Sequence, residues 1–341
     1  MDTDRLLARL LAPTMAEAIH PILHAIRARG TAFRAANGVW FVTGYGAAQS
    51  LLRSPALARR IPGHGAPPRP EDDLRVLEPP EHTRVRAGLA DAVPARRMYA
   101  HRAAVAEIAA RRFRWAPGAA IEVVAGAIGP YVGESVRSLL SLAPPVPPGS
   151  RHGRLSEREY AINLALLDVA GLETTTVSLA NAVQNLLRDP AHLTRLAADP
   201  GLIANAAEEA LRHESGAVFS SPRVALAPLR VGPGRIERGD RVVVVMAAAN
   251  RDPAAFPDPD AFLPDRAGPR HVSFGGGPHR CFGAAFARVL IEEAIRRLAS
   301  VHARSPLLIE SARRSGGIAG RVEELVVRTR PDRLPERTPD R

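Results

Sequence analysis

The chain has 341 residues, 46% of them hydrophobic and 24% charged, which is ordinary globular composition and enough length for one large core. All 46 basic residues are arginine and the net charge is +11, but with only 4% aromatics no base-stacking pattern makes that charge a nucleic-acid footprint. No stretch approaches the continuous apolar length of a membrane helix and acids sit among the first residues, so the expectation is a cytoplasmic protein without a signal peptide or membrane partner.

In chain order, HPILHAIRARG predicts an amphipathic helix closed by Gly30, VWFVTG a short strand and AAQSLLRSP a second helix. Helical spacing runs from Val85 to Arg112 with a break at Pro94. The proline density of SLAPPVPPGSRHGR predicts an extended linker. Ser156, with Glu159 three residues on, opens a long apolar helix that ends near LLRDP. A helix over IANAAEEALRHES, strands around RVAL and RVVVVMAA, an irregular stretch from Asp252 to Pro269 and a helix starting at Cys281 complete the pattern. The expectation is one mainly α domain with small β-sheets over residues 1–330 and a disordered tail over 331–341.

Cys281 is the single cysteine, which excludes an intrachain disulfide. A lone cysteine is more often a small buried hydrophobe than a ligand. Here Gly275, Gly276, Gly277 and Pro278 precede it in an irregular loop able to wrap a flat ligand, and helix-start N–H groups beside a sulfur favour thiolate. Zinc is disfavoured because no second cysteine exists and the histidines lack finger spacing.

Phe274, Gly275, Gly277, His279, Cys281 and Gly283 form the string Phe-Gly-x-Gly-x-His-x-Cys-x-Gly, which resembles the haem-binding signature of the cytochrome P450 family. Ala170, Gly171, Glu173 and Thr174 resemble that family's oxygen-binding helix motif, and Glu209 with Arg212 its Glu-x-x-Arg motif. The resemblance implies a P450 fold with haem b held by Cys281 as the iron ligand. His82, Arg86, Arg223, His279 and, more weakly, His271 would meet the haem propionates, and Arg266 would join Glu209 and Arg212 in a structural cluster. It also implies electrons from NAD(P)H through ferredoxin reductase and a ferredoxin.

The chain departs from the family in length. Arg86 and Ala170 lie only 84 positions apart, and the connector PGHGAPPRPEDD is short, so the pair of helices that forms the distal lid is expected to be absent. An open pocket follows, suited to a bulky or carrier- or peptide-tethered substrate, or to a partner or second subunit that covers the haem. The leading expectation is a monooxygenase or oxidase of secondary-metabolite biosynthesis. A non-catalytic haem-binding scaffold and haem chemistry without external dioxygen are the alternatives.

Overall fold

The computed structural model describes residues 5–8, 19–60, 72–144, 155–214, 216–315 and 321–330. The expected tail lies outside the described residues, as do most of the proline-rich linker and of the connector before His82. In chain order the strands are β1 (Ala32–Arg34), β2 (Trp40–Val42), β3 (Leu57–Ala58), β4 (Ala120–Glu122), β5 (Arg223–Ala225), β6 (Leu229–Val231), β7 (Gly234–Ile236), β8 (Arg241–Val244), β9 (Leu307–Arg314) and β10 (Val322–Thr329). They form a five-stranded sheet in the order β1-β2-β8-β5-β3, a three-stranded sheet β4-β10-β9 and the hairpin β6-β7. Within the first sheet only β2 and β8 run parallel, pairing Trp40 with Val242 and Val42 with Val244. Val242, Val243 and Val244 are all buried, as a central strand covered on both faces requires.

Helix α1 (Ile19–Arg27) and α2 (Tyr45–Arg53) pack beside that sheet, and the chain leaves α1 through Gly30 at φ 116°, a conformation that favours glycine. Proline 94 divides α3 (Glu81–Ala92) from α4 (Ala95–Ala100) and α5 (Arg102–Arg112), where the sequence expected the break. The large core lies among these helices and α6 (Gly129–Leu140), α7 (Glu157–Arg188), α8 (Ala191–Ala198), α9 (Ile203–His213) and α11 (Ala284–Arg304), with Phe113, Tyr131 and Leu290 fully enclosed. A smaller core fills the space between the five-stranded sheet, α2 and α10 (Met246–Ala249).

Several elements differ from the sequence expectation. The run RVVVVMAA is strand only to Val244, because the alanines after Met246 turn into α10, in keeping with alanine's helical preference. The final helix starts at Ala284, not at Cys281; Phe282 and Gly283 form a turn between them. The long hairpin β9-β10 is absent from the sequence reading, because arginine and glutamate along LLIESARR and VEELVVRT blur its alternation. Helix α7 is long and apolar enough to cross a membrane by length and composition, contrary to the expectation that no stretch was.

Helix α7 is a core helix over only part of its length. From Val177 to Leu187 every residue is buried, whereas from Leu164 to Thr174 none is, and Val169 is 71% exposed. Among the described residues no helix intervenes between α6 and α7; residues 145–154, on which the expected loss of the lid helices falls, lie outside them. The N-terminal end is fastened separately: Asn163 Oδ1 accepts from Leu74 N at 3.0 Å, and Tyr160 Oη donates to the Pro144 carbonyl at 2.7 Å.

Its first turn carries the capping box: Glu159 N donates to Ser156 Oγ at 3.2 Å while Glu159 Oε2 accepts from Ser156 N at 2.9 Å. Arg84 and the Ser156 donors hold the Glu159 carboxyl down at about 2, against a usual 4.5. Because the folded value is depressed, this contribution to stability is full above the usual value and is lost as the pH falls. Glu159→Gln should therefore flatten the loss of urea resistance between pH 4.5 and pH 2. Ser156→Ala should lower stability by about 1 kcal/mol at neutral pH. An unchanged urea midpoint in Ser156→Ala would show that the cap does not stabilise the helix.

Candidate functional site

A cavity of about 370 Å³ opens between α3, α7, α11 and the segment that precedes α11. One part of its wall is apolar, with Leu139 and Leu140 of α6 and Leu166, Leu167, Ala170 and Gly171 of α7. Another part is cationic and polar, with His82, Arg86, Arg223, His279 and Arg59. Cys281 lines the same space beside Phe274 and Gly275.

The loop that presents Cys281 is shaped by local backbone demands. Gly275 N donates to the Val272 carbonyl at 2.8 Å and Cys281 N to the Phe274 carbonyl at 2.8 Å, which closes the loop on itself. Gly275 and Gly277 sit at φ 67° and 65°, in the left-handed region. Gly277 does not line the cavity; it packs on the end of α2, where a Cβ would come within 2.7 Å of the Leu52 carbonyl oxygen. Phe274 is covered by Arg288, whose guanidinium carbon lies 4.7 Å from the ring centroid.

Cys281 is exposed, and because it lines the cavity its thiol faces that space while protein surrounds its base. Burial pushes the thiol up from its ordinary value, against the Gly283 backbone N–H and the positive charges of Arg280, Arg86 and Arg288, which favour thiolate. The N–H support expected from sequence is present, but desolvation outweighs it until an electrophile or cation meets the sulfur.

The cationic wall is short of partners. His82 Nδ1, both ring nitrogens of His279 and the Nε atoms of Arg223 and Arg59 are buried without a hydrogen-bond partner. The His82 and His279 rings lie 4.3 Å apart, and burial together with the neighbouring cations lowers His82 to about 4, so at neutral pH it is an uncharged N–H donor. Glu78 approaches His279 at 3.6 Å, too far for a good hydrogen bond. Buried orphan donors of this kind call for an anion. A lone thiol and a cluster of carboxylate-binding groups on one cavity fit haem, which carries an iron and two propionates, and Cys281, His82, Arg86, Arg223 and His279 are the residues that would hold it.

Besides Gly277, two expected site residues lie elsewhere. His271 does not line the cavity: its Nε2 faces Glu208 at 3.5 Å and its Nδ1 accepts from Ser273 N at 3.1 Å. The reason is that it precedes the loop, where the chain still runs beside α9. Glu173 is 73% exposed in its side chain and pairs with Arg321 at 2.9 Å, outside the cavity wall that Ala170, Gly171 and Thr174 help to form. Adjacent helix positions point about 100° apart, and here that step carries Glu173 off the wall on which Thr174 lies. Thr174 Oγ1 donates back to the Ala170 carbonyl at 2.8 Å.

Residues that the sequence reading missed complete the wall. Ser178 Oγ donates to the Thr174 carbonyl and accepts from Gly216 N, both at 2.8 Å. A Cβ on Gly216 would come within 2.4 Å of the Thr174 oxygen, so the segment after α9 can lie this close to α7 only as glycine. Neither residue sits in a string distinctive enough to be read from sequence.

Glu209, Arg212 and Arg266 meet in a buried cluster. Arg212 reaches Glu209 at 2.6 and 2.8 Å, Arg266 Nε reaches both carboxylate oxygens at 3.0 and 3.1 Å, and Leu263 N donates to Oε1 at 2.9 Å. Arg212 also donates to the carbonyls of Asn250, Pro259 and Ala261.

This architecture, a helical core with a cysteine loop ahead of a long helix and a buried carboxylate–guanidinium cluster behind it, is that of the cytochrome P450 class. The family model described as Cytochrome P450 matches residues 202–298, from α9 into α11. "Putative cytochrome P450 140" of Mycobacterium bovis is 44% identical over 150 residues, which is 43% of this chain and 34% of that protein. "Biotin biosynthesis cytochrome P450" of Bacillus subtilis is 39% identical over 150 residues, covering 44% and 38%. The matched stretch thus spans only about a third of the length of these curated relatives. Among solved structures, P450BioI in complex with an acyl carrier protein ligated to hexadec-9Z-enoic acid superposes with a TM-score of 0.77 at 23% identity, over 91% of this chain and 97% of that one. Fold and sequence together make the chain similar to cytochrome P450 proteins: its fold is theirs, and the family model reaches across residues 202–298.

Glu209→Ala would strand two buried guanidiniums, and removing one partner of such a cluster costs about 3–5 kcal/mol. The expected outcome is loss of most folded protein in thermal and urea unfolding; a variant as stable as the parent would show that the cluster is dispensable.

Proposed function

We propose that the protein is a haem-thiolate monooxygenase or oxidase that uses dioxygen to hydroxylate, desaturate or couple an organic substrate in a biosynthetic pathway. The observation that carries this reading is the convergence of Cys281 and the unpartnered donors of His82, Arg223 and His279 on one cavity whose other wall is apolar. Haem bound through the Cys281 sulfur would supply activation of dioxygen, with the thiolate donating electron density. The protein's own residues bind its carboxylates, leave room beside Gly171 and offer the Thr174 hydroxyl as a proton donor at the cavity wall.

The uncovered middle of α7 supports a substrate that is bulky or delivered on a carrier, since such a guest excludes water where no described helix does. The acyl carrier protein bound to P450BioI is a precedent for delivery of that kind. The net charge of +11 suits an acidic carrier protein and an acidic ferredoxin fed by ferredoxin reductase and NAD(P)H. A partner or second subunit over the open side is the other way to exclude water. The outward position of Glu173 favours, as a second reading, haem chemistry driven by peroxide without a reductase.

The reduced protein with carbon monoxide tests the first premise. Native protein should give the red-shifted Soret band of thiolate ligation and Cys281→Ala should lose it; a histidine-type band in both would overturn the proposal. With a reductase system, Thr174→Ala should raise the peroxide released per NAD(P)H consumed, and equal release would mean that the Thr174 hydroxyl does not supply the proton.

A further inference from the structure

Sequence assigns the haem carboxylates to His82, Arg86, Arg223, His279 and, more weakly, His271, but Arg59, Arg75 and Arg280 also line the cavity, and of these Arg59 lies beside Arg223. Strand β3 pairs with β5 antiparallel, Leu57 opposite Ala225 and Ala58 opposite Val224, so the next position of that register sets Arg59 opposite Arg223. Both arginines line the cavity and both Nε atoms are buried without a hydrogen-bond partner. Like charges on facing strand positions destabilise a sheet, and burial with the neighbouring Arg223 pulls Arg59 down to about 10.

Among the described residues Glu78 is the acid that faces Arg59, and it is already engaged. One of its oxygens accepts from the Arg59 backbone N–H and the other faces His279. A single carboxylate among the guanidiniums of Arg59, Arg86 and Arg223 leaves this end of the cavity positive. Two uncompensated guanidiniums side by side are stable when a carboxylate bridges them, and weigh on the fold when none does.

Resting on the haem reading above, we infer that Arg59 is a further haem-carboxylate-binding residue that acts with Arg223, and that it lowers the stability of the empty protein in exchange for retention of the cofactor. The same chemistry could serve a carboxylate of the organic substrate, so the test must separate the two sources.

The full-length protein is prepared with haemin or with haemin dimethyl ester, whose propionates carry no charge, and transfer of each to apomyoglobin is timed for the parent, Arg59→Gln and Arg59→Lys. With haemin, Arg59→Gln should release the cofactor at least about tenfold faster, the scale of one charge-assisted hydrogen bond, and Arg59→Lys should recover part of the loss. With the dimethyl ester the variants should match the parent. In urea, cofactor-free Arg59→Gln should unfold no earlier than the cofactor-free parent, because a repulsive pair has been relieved.

Equal acceleration for haemin and its ester, or no acceleration for either, would overturn the inference and leave the anion to the substrate. Earlier unfolding of the cofactor-free variant would overturn it in favour of a structural role. A parent that binds neither haemin would refute the proposed function itself, a result distinguishable from failure of Arg59 alone.

Discussion

The position of Cys281 depends on a carboxylate buried some seventy residues earlier in the chain. Glu209 draws Arg212, Arg266 and the Leu263 N–H onto itself, and Arg212 passes the constraint to the Asn250 carbonyl. Asn250 then holds the start of the cysteine loop: its Oδ1 accepts from Val272 N and its Nδ2 donates to Ser273 Oγ, which in turn donates to the Leu211 carbonyl of α9. An irregular loop has no ladder of its own to satisfy its polar groups, so its shape must be imposed from outside. Here an ionic cluster away from the cavity imposes it, through fully hydrogen-bonded side chains that lose little entropy on ligand binding.

Much of this was legible because the relevant spacings are short. Glu209 and Arg212 are one helical turn apart, the glycines and Cys281 fall within seven residues, and Pro94 and the Ser156 box punctuate helices by rules that need no tertiary context. What escaped depends on pairing between distant segments. Arg59 is one of 46 arginines, and only its register against β5 distinguishes it. The facing of Glu173 could not be read from a motif that names it beside Thr174, since a string does not fix the helix's rotation relative to the cavity, which sets Thr174 on its wall and Glu173 against Arg321. His271 is separated from Phe274 by two residues, yet the chain bends between them and leaves it against Glu208.

The five-stranded sheet and the helical core contribute differently. The sheet carries two of the arginine positions at the cavity, Arg223 within β5 and Arg59 just beyond β3, while α3 carries His82 and Arg86. The apolar lining comes from α6 and α7 together with Phe286, Leu290 and Ile291 of α11 and Met246 of α10.

Helix α7 is held more firmly at its two ends than between them, where Leu164, Leu166 and Leu172 rest only half-buried on the core. Tyr160 and Asn163 fix one end, the core from Val177 onward fixes the other, and about three turns between them have no buried side chain. Backbone amides along such a span open locally at a fraction of the global unfolding free energy, so hydrogen exchange should grade along a single helix, slow at its C-terminal end and fast in the middle. Ala170 and Thr174 sit in the compliant part, about two turns and one turn from where it becomes rigid. The cavity wall around them can therefore yield without disturbing the loop that holds the cysteine.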